Sequence, residues 1–372
     1  MSSRILSYTL LSLLPAMAMA ETTLYGSLRV GIDSMQSVDT GFKRTTGIDD
    51  FSSRIGFKGS EQLNGQLQAI WQVETGLAMD GMPTGGTGSG TLANRMSVFG
   101  VQDCWGKLRV GYLDDVLTST QATDIFASPR REANSGIAYP LYEARDIFGS
   151  NNYGDSRAKN SLRYDSPRWH GMEASLQYGA GESQRASRKA GETWGLRLGY
   201  TDAGYFINYA WMTRLNTVGT NNSAIHRVEL GYRGEALQLA ATLQRIRLYG
   251  NAHQNKDGSN DFEIPGILQQ SNIAQTGNNK LSSQVVALSA GYQLGAFKPM
   301  LQYSHRGRVY MDGQHLNWSA NQWAAGVEYT LSKRSLLQAG YGAVRQNAGG
   351  QNALAWSKSS ASTGWMMMRT DF

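Results

Sequence analysis

The sequence predicts an all-β fold: a transmembrane antiparallel β-barrel of 16 strands. Three observations carry that prediction. Apolar and polar residues alternate with period two along the whole chain, the pattern of strands with one face in an apolar medium. Beyond residue 20, no stretch approaches ~18 consecutive apolar residues, so helical spans are excluded. Aromatic residues stand at the ends of the apolar faces, where a membrane barrel carries its girdles.

The first element precedes the barrel. Arg4 gives a positive start, an apolar run follows through Leu6, Leu10, Leu11, Leu13 and Leu14, and Ala18-Met19-Ala20 offers an A-x-A cleavage site before Glu21. Residues 1–20 are expected to be a secretory signal peptide, with an apolar core too short to span a bilayer. Its removal takes one Arg from a formal charge of +6, leaving +5 on residues 21–372. Mean hydropathy is −0.40, with 43 Gly, 18 Tyr and 9 Trp against 7 Pro. A barrel with a wet interior can be this hydrophilic, because only every second strand residue meets lipid. Cys104 is the one cysteine, so the fold has no intramolecular disulfide.

Sixteen strand-like segments follow, near 22–33, 51–59, 66–75, 94–102, 106–112, 158–165, 172–180, 192–200, 204–212, 225–233, 236–247, 282–293, 296–305, 320–331, 335–343 and 363–372. In the first, Leu24, Leu28, Val30 and Ile32 alternate with Tyr25, Ser27, Arg29 and Asp33. Trp194, Leu196, Leu198 and Tyr200 share one face, as do Tyr205, Ile207, Tyr209 and Trp211, and Trp323, Ala325, Val327, Tyr329 and Leu331. Short connections carry turn chemistry, such as Asp202-Ala203-Gly204, Gly234-Glu235 and Leu294-Gly295. Long ones at 34–50, 76–93, 113–157, 181–191, 213–224, 248–281, 306–319 and 344–362 are rich in Gly, Ser, Asn and Thr. Alternating short and long connections put both termini on the periplasmic side of an even-stranded barrel.

Several motifs resemble the Gram-negative trimeric general porins, in particular their neisserial and β-proteobacterial branch. They are Thr23-Leu24-Tyr25-Gly26, then Ser53-Arg54-x-Gly56-x-Lys58-Gly59-x-Glu61-x-Leu63-x-Gly65, then Arg95, Gly100, Gly106, Leu108 and Gly111. Arg157-x-x-Asn160-Ser161-x-x-Tyr164-x-Ser166-Pro167-x-x-x-Gly171 is similar to the exit from that family's third loop, and the final Phe372 to its assembly signal. Tyr112 stands where the family usually has Arg, and Cys104 where Gly is usual. The resemblance implies an outer-membrane homotrimer among lipid and lipopolysaccharide. It implies a water-filled channel for small ions and hydrophilic solutes, with no cofactor and no nucleic-acid partner. It also implies that the third loop, here 113–157, folds into the lumen as a constriction.

Parity supplies the wall of that channel. Charge on the lipid face at mid-bilayer would cost ~2–4 kcal/mol per residue. With Ile55 and Phe57 outward, Arg54 and Lys58 face inward; with Leu108 and Val110 outward, Lys107 and Arg109 face inward; Arg29 follows the same rule. Met96 and Val98 are expected outward and Arg95 inward. The constriction set is therefore Arg54, Arg95 and Arg157, on motif positions of the basic wall, with Arg29, Lys58 and Arg109 beside them. Opposite stand the loop acids Asp114, Asp115 and Asp124, followed by Glu132, Glu143, Asp146 and Asp155 and mixed with Arg130, Arg131 and Arg145. An anion preference is expected from the basic wall.

Other chemistry is weakly marked. The five His show no metal spacing, and Asp257-Gly258-Ser259-Asn260-Asp261 with Glu263 lacks a full calcium-loop pattern. Asn221-Asn222-Ser223 fits a glycosylation sequon and reads more simply as loop chemistry. No motif marks a catalytic set, so a barrel enzyme is the alternative reading, along with an adhesin acting through its exterior loops.

Overall fold

A computed structural model describes residues 21–37, 44–81, 92–126, 157–181, 192–218, 221–250, 253–254, 260–261, 279–315, 319–347 and 358–372. Its strands are β1 (Glu21–Ser37), β2 in two pieces (Thr45–Asp50 and Arg54–Asn64), β3 (Leu67–Gly76), β4 (Ser97–Asp103) and β5 (Gly106–Asp114). Then come β6 (Arg157–Asp165), β7 (Met172–Gly179), β8 (Thr193–Asp202), β9 (Tyr205–Val218), β10 (Asn221–Arg233) and β11 (Leu237–Gly250). The last five are β12 (Asn279–Tyr292), β13 (Phe297–Arg306), β14 (Ser319–Thr330), β15 (Ser335–Asn347) and β16 (Lys358–Asp371). Each pairs antiparallel with its sequence neighbours, and β1 pairs with β16 from Ser27↔Asp371 to Ser37↔Ala361. The sheet is a closed barrel of 16 strands.

Alternation sorts the two faces. Leu24, Phe57, Phe99, Leu198, Ile207, Leu230, Leu243, Leu288, Leu301 and Met366 are exposed on the outside. Ser27, Glu74, Arg163, Gln177, Arg227, Glu229, Gln244, Gln302, Gln322 and Gln338 are buried on the inside. This inverts a soluble protein, as lipid outside and a polar interior require. Aromatic pairs bracket the apolar band across neighbouring strands. Tyr205–Tyr232 and Phe297–Tyr329 lie at the short-turn end, with ring centroids 4.8 and 4.7 Å apart. Tyr178–Trp194 and Trp323–Tyr341 lie towards the long-connection end, at 4.9 and 5.5 Å. Such pairs add to the strand contacts beneath them.

The strands are longer than the alternation alone suggests. The second barrel strand begins at Thr45, within the expected connection 34–50, because Thr45–Asp50 pairs with Val30–Met35 of β1. It breaks at Phe51–Ser53, where the Asp50 carboxylate accepts the Ser52 and Ser53 N–H groups at 2.9 and 3.0 Å. Ser52 takes a φ of 75°, and Phe51 turns into the interior. The expected connection 213–224 is largely strand, with β9 running to Val218 and Val218 paired to Asn221 of β10. Polar residues continue these strands past the apolar band, since backbone pairing does not need an apolar side chain. The proposed leader 1–20, the loop charges between 127 and 156, and Asp257, Gly258, Ser259 and Glu263 lie outside the described residues.

Closure rests on the last residue. Gly26 N–H donates to the Phe372 carbonyl at 2.9 Å, and Phe372 N–H donates back to Gly26 at 3.0 Å. A side chain at Gly26 would collide with the Phe372 ring and the Arg54 carbonyl. Deleting Phe372 removes two backbone hydrogen bonds, worth about 1–3 kcal/mol together, and the ring over Gly26. Folded barrel in the outer membrane, read by heat-modifiable gel mobility, is expected to fall severalfold while export across the inner membrane is unchanged. Gly26→Val should produce the same loss.

Candidate functional site

The inner wall of β16 and β1–β6 carries a run of arginines, each placed by strand parity or by an irregularity that overrides it. Arg29 and Arg369 are register partners across the closing seam. Arg29 Nε donates to Ser27 Oγ at 2.9 Å, and Arg369 pairs with Asp371 at 2.6 Å. Arg54 and Arg95 meet at one buried carboxylate: Glu74 Oε2 lies 3.7 Å from Arg54 Nε, and Glu74 Oε1 lies 2.5 Å from Arg95 Nε. Tyr25 Oη donates to Glu74 at 3.1 Å, and Lys58 Nζ sits over the Tyr25 ring at 5.4 Å. Arg54 is within electrostatic reach of Arg95, Arg369 and Asp371, so these strands share one local field.

The expected orientation of Met96 and Val98 is corrected. Val98 is 8% exposed and Phe99 57%, and Phe99 pairs with the outward Trp71. Val98 therefore points inward. Arg95 precedes β4, next to Asn94 and Ala93, and Ala93 has a φ of 66°. There the chain has left strand alternation, and Arg95 reaches the inner-face Glu74 all the same.

Arg109 faces inward and pairs with Asp165 at 2.6 Å. Arg157 does not join it on that face. The ladder between β5 and β6 slips between Gly111 and Leu113, so Leu113 and Ala158 are buried inside and Asp114 and Arg157 pair on the opposite side. Arg157 and Lys159 lie over the Tyr112 ring, at 5.7 and 6.0 Å from its centroid. The inward arginine of β6 is Arg163. It pairs with Asp165 at 2.9 Å and donates to the Asp114 carbonyl and Ser119 Oγ, at 3.1 and 3.0 Å.

Residues 115–126 lead from β5 against inward side chains of distant strands. Asp115 is buried, and its carboxylate accepts the Thr118 N–H at 2.9 Å, closing a turn. Arg227 of β10 donates to the Leu117 and Thr120 carbonyls, both at 3.0 Å, and is held by Gln244. Glu229 accepts the Ala122 N–H, and Thr123 bonds Thr242 at 3.0 Å. Beyond Asp124, Phe126 meets the Trp365 edge at 5.6 Å and joins Phe51, Met300, Ala324 and Met367 in an apolar cluster. Among the described residues, no group of three or more His, Cys, Asp or Glu is placed to hold a metal ion.

These features are a charged interior, contacted by residues 115–126, inside a barrel whose outer face is apolar. The model of the Gram-negative porin family matches residues 7–349. The chain belongs to the Gram-negative porin family. This porin is 29% identical over 345 residues to the major outer membrane protein P.IB of Neisseria meningitidis serogroup B, covering 89% of the chain and 90% of the relative. The gonococcal P.IB is 29% identical over 363 residues, with 89% and 91% covered. Among solved structures, an anion-selective porin from Comamonas acidovorans superposes with a TM-score of 0.69 at 19% identity, covering 95% of this chain and 100% of that one. Salmonella typhi OmpF gives a TM-score of 0.63 at 17% identity, covering 94% and 97%. The porin is an outer-membrane protein and a general diffusion channel.

Glu74, Arg163, Asp165, Arg227, Glu229 and Arg369 were absent from the constriction set expected from sequence. Parity could have found most of them, since a charge inside a membrane strand belongs on the polar face. Their partners depend on which strands and loop face each other across the barrel. Arg227→Met should leave the Thr120 carbonyl without its donor and cost about 1–3 kcal/mol. A lowered unfolding temperature and noisier open-channel current are expected, measured by thermal gel shift and single-channel recording.

Proposed function

We propose that this porin is a trimeric channel with a preference for anions, narrowed by its third connection. The supporting observation is the inner arc of Arg29, Arg54, Arg95, Arg109, Arg163 and Arg369, gathered on neighbouring strands around the carboxylates Glu74, Asp165 and Asp371. Those six arginines outnumber the three carboxylates among them, and guanidinium groups hold their charge even beside other cations. Low-dielectric walls concentrate that field on the water between them. The contacts of residues 115–126 with β10, β11 and β16 support an inward course for the connection, and the Asp115 carboxylate caps its own turn by accepting the Thr118 N–H. Solutes then pass by diffusion, with no bond made or broken. We further propose that residues 1–20 are the cleaved leader.

Selectivity is tested by the reversal potential in a chloride salt gradient. The sign should be anionic. It should weaken as the Debye length falls from ~10 Å at 0.1 M to ~3 Å at 1 M salt. Arg54→Gln with Arg95→Gln should cut the anion-to-cation permeability ratio severalfold, and Glu74→Gln should raise it. A cation preference in the wild type that ignores all three changes would reject the basic arc as the filter.

The trimer reading rests on the family resemblance and on the outer faces of β1, β2 and β16, where Leu24, Ile32, Ile48, Phe57, Met366 and Met368 are exposed. Closed cyclic symmetry would cover those faces. Native mass measurement in detergent should give three chains per particle; a conducting monomer would reject it.

A further inference from the structure

Two strands of the inner wall lack a side chain where the third connection touches them. Gly195 of β8 shares the inward face with Thr193 and Arg197, and a Cβ there would stand 2.8 Å from Val116 Cγ2. Gly326 of β14 shares the inward face with Ala324, and a Cβ there would stand 2.9 Å from Phe126 Cε1. Val116 and Phe126 are both buried. Glycine weakens a strand interior, and its presence there marks a close approach by another group. In both places the approaching group is an apolar side chain of residues 115–126, one near each end of that segment.

The seat of Phe126 spans two strands. Gly326 is the register partner of Gly340 on β15, so the wall is bare on both. The Trp365 indole of β16 lies over Gly340 and meets the Phe126 ring. Trp365 Nε1 donates to Gln338 Oε1 at 3.2 Å, which holds the indole in place. Phe51, Met300 and Met367 pack into the same cluster. Between the two seats the segment advances strand by strand. Leu117 and Thr120 accept from Arg227 of β10, Thr123 bonds Thr242 of β11, and the Ile125 N–H donates to Gln302 of β13 at 3.4 Å. Its contacts thus follow the wall from β8 to β16, whereas Arg54, Arg95 and Arg109 stand on or beside β2, β4 and β5.

We propose that Gly195 and Gly326 are positioning residues of the channel: they seat Val116 and Phe126, hold the third connection along β8–β16, and leave the solute path beside the arginine arc. This rests on the reading that the third connection narrows the channel. The seats and their occupants are uncharged, so they act on permeation through position alone. Once released, the connection can approach the arc. Its carboxylates, Asp124 among them, then offset the guanidinium charge that solutes meet.

The full chain, folded in detergent and inserted into planar bilayers, is measured in two ways. One is the reversal potential in a chloride gradient; the other is the size limit of neutral polyethylene glycols that enter the pore. Phe126→Ala empties one seat without altering a strand, and Gly195→Val fills the other. Each is expected to shift the size limit and to lower the anion-to-cation permeability ratio severalfold, although neither changes a charge. Gly195→Ala should do the same in smaller measure. Gly195→Ala with Val116→Ala moves volume from connection to wall and should return both readings towards wild type. Leu243→Ala, on the lipid face, should change neither. Wild-type heat-modifiable gel mobility in every variant separates a displaced connection from an unfolded barrel. Because the polymers are uncharged, the size limit reports on the seats whatever the sign of selectivity. A cation-preferring wild type with a shifted size limit in the variants would reject the basic filter and support the seats. A wild-type size limit in both Phe126→Ala and Gly195→Val, or no recovery in Gly195→Ala with Val116→Ala, would overturn the proposal.

Discussion

Every part of this molecule depends on one constraint: inside a bilayer, each backbone N–H and C=O must find its partner within the protein. A sheet meets that demand only when its edges meet. The seam between β1 and β16 is therefore the decisive contact, and Gly26 and Phe372 finish it with reciprocal hydrogen bonds. Once the ladder is closed, alternation forces one face into lipid and the other inward. The outward leucines and aromatics, and the inward glutamines and arginines, are consequences of the same pairing.

A closed barrel concentrates charge in its interior. Arginines on neighbouring strands cannot avoid each other there, and the structure meets the repulsion in two ways. Single carboxylates serve two arginines each: Glu74 lies between Arg54 and Arg95, and Asp165 between Arg109 and Arg163. Other arginines donate to backbone. Arg163 and Arg227 donate to carbonyls at the beginning of the third connection and hold it against two parts of the wall, β6 and β10. The same charges that contribute to the internal field thus also hold the first residues of this connection.

The exterior follows a complementary logic. Apolar side chains fill the band between two aromatic belts. The distribution of charge along a strand therefore records the face, and Arg29 and Arg54 belong to the inside.

Most of the architecture was legible in the chain because alternation and connection length are local properties. The sixteen segments and the inward course of Arg29, Arg54, Lys58 and Arg109 follow from neighbours in sequence, whereas a role for Phe372 came only from the family resemblance. Tertiary structure alone decided where alternation fails. The slip between Gly111 and Leu113 turns Arg157 away from Arg163, and the break at Phe51 extends β2 into an expected loop. The register of β4 puts Val98 inward, and Arg95, which precedes the strand's start at Ser97, still reaches Glu74. Likewise, nothing near Asp115 or Phe126 in sequence names Arg227 or Trp365 as its partner. A bulge reverses every later side chain, and a loop's contacts lie across a barrel whose far wall is formed more than a hundred residues on. Local pattern determines which faces exist, whereas closure in three dimensions decides which of them meet.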